Sequence, residues 1–126
     1  MSAPSQAVPP SRLTQRLAAL PVVIPQPEQV AGYLECHADV EDLLPLVCQS
    51  ARMEFGEEVE LSLELYRDPE IPDCYLTLYV RQPVYDRLIM ARIESVRARY
   101  RDELSERSGW LHVTTDFRPP STKHAI

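Results

Sequence analysis

The residues most able to do chemistry lie in the stretch "YRDPEIPDCYLTLYVR", residues 66–81, where Asp68, Glu70 and Asp73 crowd one loop. Three carboxylates offer the hard oxygen ligands that calcium and magnesium accept. A calcium loop of the EF-hand kind also needs a glycine at its sharp turn and a distal bidentate acid, and this loop has neither. Asp68-Pro69 and Pro72-Asp73 are ordinary turn chemistry, so the loop is expected to turn the chain. Cys36, His37 and Cys48 offer softer ligands. A zinc site wants four, usually in paired short spacings. The residues that would complete it, Cys74 and His112, alternate onto opposite faces of their strands. No metal and no cofactor is expected.

Covalent catalysis finds no better footing. The sequence has no G-x-S-x-G elbow and, with three glycines in all, no phosphate-cradling glycine-rich loop. His112 and Asp116 share a strand face but sit four residues apart, about 13 Å. No catalytic residue is assigned. The three cysteines match neither a CxxC motif nor a secreted disulfide framework, which points to free thiols and a cytoplasmic, reducing setting. Arg12 and Arg16 precede "LAALPVVI", but prolines bracket "VVI" and no small-residue cleavage pattern follows, so no leader is expected.

The charge of −6 disfavours nucleic acid and anionic membranes as partners. The arginines between Arg92 and Arg107 are interleaved with Glu94, Asp102, Glu103 and Glu106, the pattern of a solvated helix face. No apolar run approaches the roughly 18 residues of a membrane span.

The elements that would position a site follow from periodicity. Residues 1–36, broken by prolines, read as a mobile arm with a short helix in "SRLTQRLAAL", Ser11 as its cap. Residues 37–118 read as one α/β domain and 119–126 as a flexible tail. "ADVEDLLPLVCQSARMEFG" has helical spacing, with Asp39 and Asp42 near its start, Pro45 either kinking it or opening a second helix, and Gly56 ending it. Val59 to Tyr66 and Cys74 to Arg81 alternate with period two and flank the acidic loop, which predicts an antiparallel hairpin. A helix over 83–107 and a strand over 110–117 complete the order, with Leu111, Val113, Thr115 and Phe117 inward.

The predicted fold class is α+β, a two-layer α/β sandwich. Its order is α-β-β-α-β, with a small mixed sheet covered on one face by two helices and the last strand parallel to its predecessor. If residues 21–25 form a strand, the alternative is a ferredoxin-like β-α-β-β-α-β order.

The uncovered sheet face is the candidate site. Alternation places Glu60, Glu64, Tyr75, Tyr79, Arg81, Trp110 and His112 on it, beside Tyr66, Thr77, Thr114 and Asp116. Tyr, Trp and Arg are enriched at interaction hot spots. The expected function is a small soluble interaction module, one member of a bacterial protein pair or a homodimer, working through this aromatic-rich face. The alternative is a small-molecule binder or enzyme that uses the polar groups of the same face.

Overall fold

In the computed structural model, residues 12–70 and 72–120 are described. Five helices and three strands follow in the order α1 (Arg12–Ala18), α2 (Pro27–Cys36), α3 (Ala38–Glu41), α4 (Leu44–Phe55), β1 (Glu60–Arg67), β2 (Cys74–Arg81), α5 (Ile89–Ser105) and β3 (Leu111–Thr114). The sheet order is β1-β2-β3, antiparallel across the hairpin and parallel across the α5 crossover. This is the α+β two-layer fold that the hydrophobic pattern predicts.

The core is a single cluster. Leu61, Leu63, Leu76, Leu78, Val80, Leu111 and Val113 on one sheet face meet Val30, Leu34, Val47, Ile93, Val96 and Leu104 from the helices. Pro45 sits in the first turn of α4, where its missing N–H costs nothing, and α3 stops short of it. Gly56 then ends α4 at φ 84°, ψ −166°, an extended left-handed geometry open only to glycine.

The N-terminal stretch departs most from expectation. Proline opens α2 at Pro27, and Val30, Tyr33 and Leu34 are buried against the sheet. No helix was expected there, because its apolar positions are few and two small residues interrupt them. Leu17 of α1 is also in the core. The arm expected over residues 1–36 therefore contributes core side chains from Leu17 onward. Ser11, the expected cap, and the ends of the arm and tail lie outside the described residues.

The "VVI" run supplies one parallel bridge, Val23 to Ser62, rather than a strand. Val23 N–H donates to the Leu61 carbonyl at 2.8 Å, and Leu63 N–H donates to the Val23 carbonyl at 2.8 Å. The next donor in that ladder would come from residue 25, which is a proline and has no N–H. β2 and β3, the strands joined by the α5 crossover, are direct neighbours, so the split pairing of the ferredoxin-like order is not formed.

Two further expectations change at the far end. The long helix begins at Ile89, not near Pro83, because Asp86 turns the chain first. Its Oδ1 accepts from Leu88 N–H at 2.9 Å and its Oδ2 from Arg92 Nη1 at 2.7 Å. β3 ends at Thr114, where the Thr115 hydroxyl donates to the Val80 carbonyl at 2.7 Å and accepts from Phe117 N–H at 3.1 Å. That turn holds Phe117 at φ 61° with its ring 65% exposed, rather than inward as alternation along a longer strand requires.

Candidate functional site: the open face of the sheet

The strand register arranges the open face in rows. Glu60 lies across from Arg81, Ser62 from Tyr79 and Thr114, Glu64 from Thr77 and His112, and Tyr66 from Tyr75. The strand positions Glu60, Glu64, Tyr75, Tyr79, Arg81 and His112 lie on this side, since the core takes the alternate residues. The two ends of the face differ in chemistry.

At one end Arg81 reaches three acids, Glu60 and Glu64 of β1 and Asp116 just past β3. Its guanidinium lies 2.8 Å from Asp116, 3.3 Å from Glu64 and 3.4 Å from Glu60. Arg81 and Glu60 are buried, with side chains only 8% and 4% exposed. These two were expected on an uncovered surface. Arg81 folds flat over the Tyr79 ring, 5.1 Å from its centroid, and the acids close around it. The bonds from Arg81 hold the Asp116 carboxyl below its usual range, and those from Asp116 first of all raise the arginine. Ser62 adds a hydrogen bond to Glu64 Oε2 at 2.8 Å.

At the other end the contacts are between rings. Tyr66 and Tyr75 stack at 5.1 Å, and His112 stands edge-on to Tyr75 at 6.1 Å. Trp110 is 48% and Tyr66 38% exposed. Arg97 donates toward His112 Nε2 at 3.3 Å, and since a guanidinium has no acceptor, the imidazole proton sits on Nδ1. Burial, and then the charge of Arg97, lower the His112 pKa, which keeps the ring neutral. Burial raises both Tyr75 and Tyr79, so both phenols remain O–H donors at neutral pH.

Between the two ends lies Thr77, 2% exposed, whose hydroxyl has no hydrogen-bond partner. Ser62 and Thr77 are buried beneath the larger side chains of this face.

The β3 edge of the sheet is closed. The Trp110 carbonyl accepts from Leu76 N–H of β2 at 3.1 Å, so alternation turns the Leu111 and Val113 carbonyls away from β2. There they accept from Tyr100 Oη at 3.3 Å and Arg97 Nε at 2.9 Å, both on α5. Capping of this kind blocks strand addition at β3.

A hollow of about 740 Å³ adjoins the aromatic end, with Tyr33, His37, Ser108, Trp110 and His112 in its wall. Sequence reasoning missed its polar cluster. Ser108 Oγ donates to Asp39 Oδ1 at 2.8 Å and meets His37 Nδ1 at 3.0 Å, while Ser108 N–H donates to Asp39 Oδ2 at 2.8 Å. These residues are about seventy positions apart in sequence, so no local spacing announces them. Serine, histidine and aspartate meet here in the wrong order for a nucleophile: the hydroxyl proton goes to the acid, and the imidazole is only a second neighbour of the same oxygen. Asp39, expected near a helix start as a dipole partner, spends its carboxylate on this tie between α3 and the α5–β3 loop. Tyr33 Oη accepts from Trp110 N–H at 2.9 Å and completes it.

In the acidic loop, Asp68 Oδ1 accepts from Glu70 N–H at 2.8 Å, and Asp68 N–H donates to the Asp73 carbonyl at 3.1 Å, so Asp68 turns the chain. Among the described residues no three His, Cys, Asp or Glu side chains converge as metal ligands. Cys36 is exposed and Cys74 half-buried, while burial pushes the Cys48 thiol up to about 11.

A second surface went unnoticed in the sequence. Val84, Tyr85, Leu88 and Phe117 are 74%, 76%, 58% and 65% exposed around the turn that leads into α5. Val84, Tyr85 and Phe117 line one small hollow of about 200 Å³. Among the described residues no helix is long and apolar enough to cross a membrane. Comparison with family models, curated proteins and solved structures finds no match.

Proposed function

We propose that this chain is a small interaction module that binds another protein through the open sheet face. The observation that carries this is the aromatic end, where Trp110 and Tyr66 are exposed beside the Tyr75–His112 pair. Large amphipathic rings held rigid by a sheet present contact area at low entropic cost. The other groups of the face support the same assignment. Arg81 is spent on Glu60, Glu64 and Asp116, Ser62 on Glu64, and the Ser108–Asp39–His37 cluster on a loop tie. Neither set leaves a nucleophile and base free to act on a small substrate.

The test is a double substitution, Trp110→Ala with Tyr66→Ala, judged against Tyr85→Ala with Phe117→Ala. Both pairs are exposed, so both variants are expected to keep the fold. Cross-linking from a photoreactive residue at position 66 of the otherwise unsubstituted chain identifies the partner, and capture of that purified partner by each double variant reads association. Loss of association in the first variant alone is the expected result. Loss in the second alone would move the interface to the turn before α5 and overturn the assignment.

A further inference from the structure

Resting on that assignment, we propose that the partner presents a basic segment, one arginine or lysine of which seats on the open face over Thr77, between Glu64 and the Tyr75–His112 pair. The face carries more acid than base. Glu60, Glu64 and Asp116 surround Arg81, and among the described residues the other cation paired with them is Arg118, 3.6 Å from Asp116. Asp68 and Asp73 lie beyond the aromatic end; burial first raises the Tyr75 and Tyr79 phenols, and Asp68 and Asp73 add to the first as Glu64 and Asp116 do to the second. Arg97, the cation at the β3 edge, is committed to the Val113 carbonyl, Glu94 and His112.

Two groups in the middle row are left with capacity. Glu64 is the most exposed of the three acids, at 34%. Its Oε2 takes both Ser62 and Arg81, and its Oε1 takes neither. The Thr77 hydroxyl, in the same row, is buried without a partner. A buried polar atom in that state costs the free protein stability, which a donor restores once the side chains above Thr77 part to admit it. The surrounding rings suit a cation as well. Tyr79 already holds one guanidinium over its face, and Tyr66 and Tyr75 offer two more rings.

Charge also decides against the competing occupant. A two-fold contact whose axis passes through the middle of this face would bring Glu64 and Asp116 of each chain near the same acids of the other, in a protein of net charge −6. An incoming basic segment meets no such penalty.

Titration of the ¹⁵N-labelled protein with a blocked Gly-Arg-Gly peptide, with blocked Gly-Glu-Gly as control, tests this. Shifts centred on Glu64, Thr77, Tyr75 and His112 are expected from the arginine peptide alone, weakening as salt rises. Glu64→Gln is expected to reduce its affinity about tenfold. Thr77→Val is expected to weaken binding several-fold without lowering the denaturation midpoint, because the hydroxyl it removes has no partner in the free chain. Glu103→Gln, an exposed acid on α5, should change nothing. Shifts spread over acids throughout the surface, or equal loss in Glu103→Gln, would overturn the proposal. So would cross-links from position 66 to an acidic or purely apolar surface, or to a second copy; these leave the interface assignment standing. No cross-link from position 66 to any protein would instead remove that assignment.

Discussion

The two ends of the open face come from the same alternating pattern, yet only one of them is open. At the Arg81 end the polar side chains are long, of opposite charge and matched across three strands, so they fold onto the sheet and bury each other. At the Tyr66–Trp110 end the side chains are rigid and uncharged, and they stand out into solvent. Alternation assigns a side chain to a face; length and charge decide whether it remains accessible there. A strand face can thus be saturated at one end and available at the other without any covering helix.

The largest effect should come from breaking the saturated end. Arg81→Met removes the cation from beside Glu60, which stays almost fully buried. Destabilisation of about 3–5 kcal/mol is expected in urea denaturation, because Glu60, Glu64 and Asp116 lose the cation they share. A cost near zero would mean the acids relax into water and the end is not closed.

Next comes the support behind the aromatic end. A Cβ on Gly109 would lie 2.8 Å from Tyr33 Oη and 2.9 Å from His37 Cβ and Val40 Cγ2. Gly109→Ala should cost about 1–3 kcal/mol by overpacking. It should also disturb the Trp110 indole fluorescence, because the same tyrosine holds the Trp110 backbone. A silent variant would show that this end is soft.

Acid should separate the two ends without mutation. Asp116 has its folded pKa depressed by Arg81, so the unfolded chain binds its proton first. Its contribution is complete above the unfolded value of about 4 and is lost as pH falls through the lower folded value. Asp116→Asn should flatten that part of the stability curve. An unchanged slope would place the acid sensitivity elsewhere, for example at Asp39 or Asp86, whose pKa values are also lowered.

The smallest stability effect belongs to the exposed end. Tyr66→Ala loses one stacked pair and should cost less than about 1 kcal/mol. A larger loss would mean that Tyr66 is structural and that the contrast between the ends is one of degree.

Much of the architecture follows from local pattern. Leu61, Leu63 and Leu65 against Leu76, Leu78 and Val80 set the hairpin and its inner face, since a one-residue slip would expose all of them. The ten-residue α2 was not legible. Only Val30, Tyr33 and Leu34 bury, and that becomes a helix signal once a sheet is present to receive them. Phe117 misled for the opposite reason: its period-two position is real, but Thr115 uses its hydroxyl to end the strand.

Sequence alone determined the class of fold, the hairpin, the inner and outer residues of β1 and β2, and the acidic balance of the chain. These depend on spacing and composition, which are local and additive. Tertiary structure alone decided which outer residues are accessible, how Ser108, Asp39 and His37 meet, and that Thr77 is left without a partner. Each of those depends on side chains brought together from distant positions, and on a competition for the same hydrogen bonds that no single stretch of sequence contains.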